Sequence, residues 1–391
     1  MTAEGDPDRA PAPGPAITTA PPSGSASRHL WANGRLVPVR APLLAGSDRG
    51  FQVGDGVFET VRVCEGRILE LPLHVARLVA SASALEIPLG DQIAETLRAA
   101  ILELLAADEL IAPRAEVSVR ITVSRGPVEG RNLLPPPDVE PTVLVQAWPV
   151  VPPSPDLLDR GLHLAISRIR RDPGSPLAKV KTTSRAEFVY ARLEARRASA
   201  DDALFLTTDG HIAEATSASL FLVRAIAPAD GGAPADGGAE VNARAEANDG
   251  APADARAEAD DGAPTDARAE VNARAEADGG APADARADEG AGLATGIPGP
   301  ELLTPALDCG ILAGTTREWL LRWAPGVGLA AREAWLLPEE LFAASEAFLA
   351  SSVAGVLPVT AVDGRAIGDG RPGPWTLRAR AAREAFACDE K

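Results

Sequence analysis

Apolar residues change their period several times along this chain, and each change marks an element. HLWANGRLVPV (29–39) reads as a hairpin, and VFETVRVCEGRILEL (57–71) as a second one turning at Glu65-Gly66. LPLHVARLVASASALEI (71–87) and DQIAETLRAAILELLAAD (91–108) place apolar residues at helical spacing. AEVSVRITVSRG (115–126) and TVLVQAWPVV (142–151) then alternate like strands of one sheet. The first part of the chain is therefore mixed strand and helix.

The Pro-rich VVPPSPD (150–156) predicts a linker. Beyond it, HLAISRI (163–169) is a strand and SRAEFVYARLEARRASA (184–200) a helix. DALFLTTDGHIAEATSASLFLV (202–223) predicts a hairpin whose turn is TDGH. TREWLLRWA (316–324) reads as a helix and EAFLASS (346–352) as a strand, followed by the apolar VLPVTAVDGRAI (356–367).

Two stretches break these patterns. Residues 1–27 are Pro, Ala, Gly and Ser with almost no large apolar side chain, so they predict a disordered tail. From Pro228 to Gly292 the chain repeats variants of DGGAPADARAE and EVNARAEA, with Val241 and Val271 as the only large apolar residues. No unit of that repeat has a hydrophobic face to stack, so 228–292 predicts an acidic, flexible surface insert. The remainder divides into a small α/β domain at 28–150 and a larger domain at 151–391 that the insert interrupts.

Composition narrows the function. The formal charge of −17 argues against nucleic acid as a partner, although much of the acidity lies in the insert. The amino-terminal stretch lacks the cationic start and apolar run of a signal peptide. No apolar run is long enough to span a bilayer, so a cytoplasmic protein is expected. Cys64, Cys309 and Cys388 are far apart with no ligand spacing, and the four histidines are scattered, which disfavours a metal site.

Lysine is the informative residue. It occurs at Lys179, Lys181 and Lys391 only, whereas 35 of the 38 cationic residues are arginine. A guanidinium is never deprotonated in a protein, but a desolvated lysine amine becomes a nucleophile for imine chemistry. Lys179 and Lys181 are two apart, so in a strand they share a face. Composition alone leaves both open, and leaves chance surface lysines open too.

Six segments, in this order, resemble the pyridoxal-phosphate (PLP) enzymes of fold type IV. That class IV aminotransferase family contains branched-chain and D-amino acid aminotransferases and aminodeoxychorismate lyases. The segments are SDRGFQVGDGVFETVRV (47–63), LHVARL (73–78), AKVKTTSRAEFVYARLEA (178–195), DDALFLTTDGHIAEATSASLFLV (201–223), LLTPALDCGILAGTTR (302–317) and SEAFLASSVAGVLPV (345–359). The resemblance implies a two-domain fold, with a small mixed α/β domain and a larger β-barrel-like domain with helices. It also implies a homodimer and PLP as cofactor.

Residue by residue, the resemblance puts Lys181 at the Schiff-base position and Glu214 opposite the pyridine nitrogen, where a carboxylate keeps the ring protonated. It gives the phosphate to Arg77, to Gly314, Thr315 and Thr316 at a helix start, and to Ser351 and Ser352. Thr315 with Glu318 also fits a capping box. Ser219 stands where many relatives have Asn.

Within the family, three features are closest to aminodeoxychorismate lyase. They are the DRxxQxGDGxFxTxRV pattern from Asp48 to Val63, the absence of a tyrosine shortly after Lys181, and SRGPVEGR (124–131), in which Arg131 would bind a substrate carboxylate. The expected substrate is a small molecule, 4-amino-4-deoxychorismate, converted to 4-aminobenzoate and pyruvate. The alternative is an aminotransferase acting on branched-chain or D-amino acids with a 2-oxo acid.

Overall fold

The computed structural model describes residues 27–130, 132–224 and 299–388. All of the expected tail except Ser27, the expected insert at 228–292, and Arg131 lie outside these residues.

Strands β1 (His29–Ala32), β2 (Arg35–Pro38), β3 (Gly56–Cys64), β4 (Arg67–Ile68), β5 (Glu116–Ser124) and β6 (Thr142–Pro149) form one sheet in the order β2-β1-β6-β5-β3-β4. Between them run helices α1 (Arg49–Val53), α2 (Leu71–Ala84) and α3 (Ile93–Ala107). Alternation fixes which face α2 and α3 cover. Val57, Val61 and Val63 of β3 and Val119, Ile121 and Val123 of β5 point at Leu78, Leu97, Ile101 and Leu104. Each such leucine contributes roughly 2 kcal/mol by leaving water. β3 is buried on its other face as well. That second face carries Phe58, whose ring centre lies 4.9 Å from the Lys181 amine, and Arg62.

The rest of the chain builds a nine-stranded sheet. It contains β7 (Leu162–Arg171), β8 (Asp202–Thr207), β9 (Ile212–Ala215), β10 (Ser219–Arg224), β11 (Glu301–Pro305), β12 (Ala330–Ala334), β13 (Glu346–Ser351), β14 (Gly355–Val362) and β15 (Arg365–Ala366). The order is β12-β11-β10-β13-β14-β7-β8-β9, with β15 on β14. Helices α4 (Pro155–Arg160), α5 (Ala186–Arg197), α6 (Thr315–Trp323), α7 (Pro338–Ala343) and α8 (Pro374–Cys388) intervene or follow. Ile212 N–H, on one edge strand, donates to the Leu336 carbonyl just past the other edge strand. That bond curls the sheet toward closure. Helix α8 reaches back to the first sheet through Glu384 on Arg62 (2.6 Å) and Arg383 on Glu70 (2.6 Å).

The mixed α/β architecture matches expectation, and two local readings change. The second half of the expected linker is the start of α4, because Ser154 accepts from Leu157 N–H and Pro155 fills the first turn. The expected hairpin turns at TDGH as β8 and β9, but its second arm splits, with β10 leaving β9 to pair with β11 and β13.

Candidate active site

Lys181 lies on the irregular segment between β7 and α5, which docks on the start of β3. Phe58 N–H donates to the Lys181 carbonyl (3.0 Å), and Thr183 N–H to the Gly56 carbonyl (2.8 Å). Lys181 N–H donates to the Ser81 hydroxyl on α2 (3.2 Å). Two glycines permit this approach. At Gly54, with φ +69, a Cβ would sit 2.9 Å from Ser184 Oγ, and at Gly56 one would sit 2.7 Å from the Val123 carbonyl oxygen.

The rest of the aspartate-arginine-glycine motif braces this junction. Asp55 accepts from Arg49 (2.8 Å) and Arg125 (2.7 Å), while Asp48 accepts from Gly50 N–H and the hydroxyls of Ser124 and Thr142. The motif is scaffold, and its Asp48, Arg49 and Asp55 do not line the cavity that holds Lys181.

The two lysines do not share a face. Turns closed by Ala178 N–H to Ser175 and Val180 N–H to Leu177 replace the strand that their spacing assumed. Lys179 is exposed, with its Nζ 2.9 Å from Asp308. Lys181 turns inward, its Nζ 4.9 Å from the Phe58 ring centre. Burial, reinforced by the charges of Arg77 and Arg185, pushes its amine down to about 8 against the opposing pull of Glu59 and Glu214.

The cavity beside Lys181 is lined by every expected site residue that the structure describes: Arg77, Lys181, Glu214, Gly314, Thr315, Thr316, Ser351 and Ser352. Arg131 lies outside the described residues. A second depression, rimmed by Glu129, Asp138 and Glu140, has acidic walls and no lysine.

At one wall, Glu214 on β9 is buried. Its Oε2 is 3.4 Å from Leu312 N–H, Arg171 is 3.8 Å from its Oε1, and that Oε1 has no hydrogen-bond partner among the described residues. Burial pushes the carboxyl up, against Arg171 and the Leu312 N–H, which pull it down.

Behind Arg77, the buried Glu59 grips its guanidinium through two bonds of 2.7 Å and accepts from His74 Nδ1 at 2.8 Å. Burial would raise the Glu59 carboxyl, but these bonds outweigh it and hold it near 2. Arg77 also donates to the Ala313 carbonyl at 2.6 Å. Helix α6 starts there with Gly314 as a cap that offers no side chain, so its first N–H groups face the cavity without a capping acceptor.

The expected capping box at Thr315 is absent, because Thr315 is inside the helix and its hydroxyl packs 3.1 Å from Ser352 Oγ and 3.5 Å from His74 Nε2. Ser219 packs against Gly314, where a Cβ would meet its Oγ at 3.1 Å.

Sequence reasoning missed Glu59, His74, Phe58 and Arg185. One signal was present: Glu59 falls in phase with Val57, Val61 and Val63, a carboxylate on the core-facing side of a strand. His74 and Arg77 are three apart on α2, which puts both on that carboxylate.

Known proteins resemble the chain as follows. A putative branched-chain-amino-acid aminotransferase of Methanocaldococcus jannaschii is 24% identical over 351 residues, covering 89% of this chain and 93% of its own length. The aminodeoxychorismate lyase of Vibrio harveyi is 30% identical over 195 residues, 50% of this chain and 65% of its own. The solved T.th. branched-chain amino acid aminotransferase with pyridoxamine 5'-phosphate superposes with a TM-score of 0.67 at 23% identity, covering 92% of this chain and 94% of its own. Residues 56–362 match the amino-transferase class IV family, and the chain belongs to it.

Proposed function

We propose that this protein is an aminodeoxychorismate lyase, releasing 4-aminobenzoate and pyruvate, with Lys181 as its nucleophile and base. The family's cofactor is pyridoxal phosphate, and the residues present fit it. The orphaned, buried Oε1 of Glu214 suits a pyridinium N–H. The unfilled cap of α6, with Arg77, Thr315, Thr316, Ser351 and Ser352, suits a phosphate.

Bound there, pyridoxal phosphate supplies an electron sink. The chain's own groups do the rest. The Lys181 amine, neutral above about pH 8, makes the covalent attachment and yields it to the substrate amine. Lys181 Nζ then takes the ring proton lost as the substrate becomes aromatic, and delivers a proton to the departing enolpyruvyl group. Glu214 Oε1 would accept from the pyridinium N–H, and Glu59 fixes the position of Arg77.

The observation that carries the lyase reading is the makeup of the lining. Among the described residues, Phe188 and Leu312 are its only large apolar side chains, and the sole tyrosine, Tyr190, is exposed on α5, bonded to Arg168. An aliphatic amino acid would find little to bury its side chain against. A transamination reading is favoured by a relative that aligns over 89% of this chain. Incubation of the holoenzyme with aminodeoxychorismate separates the two. The lyase forms 4-aminobenzoate and pyruvate with no amino acceptor. Turnover seen only with an amino acid and a 2-oxo acid sinks the lyase reading.

A further inference from the structure

Most buried arginines of this protein are neutralised by a carboxylate. Arg49 and Arg125 share Asp55, Arg62 meets Glu384, Arg317 meets Glu333 and Arg383 meets Glu70. Arg185 has no such partner among the described residues. It is half-buried at the start of α5, its guanidinium lies 3.2 Å from the Phe188 ring centre, and it donates one bond, to the Thr216 carbonyl at 2.5 Å. A guanidinium offers five donors, so most of this fork is unused. Taking a cation partly out of water without an anion is unfavourable unless a ligand completes the pair.

Its position says which ligand. Arg185 lines the same cavity as Lys181 and Glu214. Its guanidinium and the Lys181 amine both approach the Phe58 ring, at 5.7 and 4.9 Å. The phosphate wall has its own arginine in Arg77. Arg120, whose guanidinium stacks 3.8 Å from Phe58 and meets only the Thr122 hydroxyl, adds positive field but does not line the cavity.

We infer that Arg185 binds a carboxylate that the substrate carries away from its reacting amine, so that the reactant is an amine bearing a distal carboxylate. The inference rests on the reading of Lys181 as the group that meets the substrate amine. A planar fork takes a carboxylate through two parallel bonds, and Arg185 presents one to the cavity that holds Lys181. Burial and the nearby Arg171 and Arg120 push the guanidinium down to about 10 against Glu214, and a bound anion would relieve that repulsion.

The test uses the holoenzyme and two probes differing by one group: 4-aminobenzoate and aniline. Each is titrated against the visible absorbance of the bound cofactor. The native protein should bind 4-aminobenzoate about 10- to 100-fold more tightly than aniline, the range of a charge-assisted pair. In Arg185→Gln the preference should collapse to within about threefold while the resting absorbance maximum stays in place, and Arg185→Lys should recover part of it. A preference that survives Arg185→Gln overturns the inference, as does a shifted resting maximum with the preference intact, which would assign Arg185 to the cofactor. Failure of the lyase reading is seen separately, as no 4-aminobenzoate from aminodeoxychorismate. The collapse would then also be sought as lost discrimination between glutamate and leucine.

Discussion

Two buried glutamates act on the same lysine and are driven in opposite directions. Glu59 is saturated by Arg77 and His74 and stays ionised far below the usual carboxylate range. Glu214 has one weak backbone donor and a distant arginine, an unpartnered oxygen, and a carboxyl pushed up by burial. Burial is common to both, so the difference lies in the partners. A carboxylate completed by the protein is scaffold, whereas one left incomplete is an address for a ligand that brings the missing donor.

The largest break comes at Lys181, which feels both carboxylates. Lys181→Ala should abolish the visible absorbance of the lysine-bound cofactor and all turnover, while Lys179→Ala keeps the band, since its pair with Asp308 is exposed. Loss of the band in Lys179→Ala alone would reverse the assignment.

Next, the glutamates should exchange symptoms. Glu59→Gln strands Arg77 beside a neutral amide and should lower apo stability by roughly 3–5 kcal/mol in denaturant unfolding. Glu214→Gln should cost no apo stability, raising it slightly where the carboxylate would be ionised, and cut turnover about 100-fold. Their acid responses also differ in sign. Glu59, with its folded value lowered, stabilises above the ordinary carboxylate range and loses that only as pH falls toward 2. Glu214, with its folded value raised, destabilises the apo protein once ionised, and mild acid relieves it. Equal stability losses in the two variants would erase the contrast.

The smallest effect concerns rate. Attachment of pyridoxal phosphate should rise with pH about a midpoint near 8, because only the neutral amine reacts. In Glu59→Gln the midpoint should move down, since Glu59 favours the charged amine. Stopped-flow absorbance across pH 6–10 reads both; an unmoved midpoint would mean that Lys181 does not sense Glu59.

Much of this was legible in the sequence. The strict alternation of EVSVRITVS gave β5, and the helical spacing of apolar residues gave α2 and α3, because those faces meet one core. Lysine scarcity narrowed the nucleophile to two residues and the family resemblance chose Lys181, whereas the turns at 175–180 that point the two apart leave no periodic trace. β12 escaped notice since AAREA carries no alternation and pairs in parallel with β11. Arg185 escaped for a different reason: its distinction is a missing partner, and a missing partner is a property of the assembled fold.

The attachment of the lysine segment to β3 also bears on how the chain acquires its site. Lys181 meets Ser81 across 100 positions of sequence, and Thr183 meets Gly54 across 129. Contacts that distant form late, after the entropy of closing long loops has been met. A nascent or half-folded chain therefore carries its reactive amine as an ordinary, fully hydrated lysine. Reactivity arrives with the last docking step, which makes cofactor capture a reporter of completed folding.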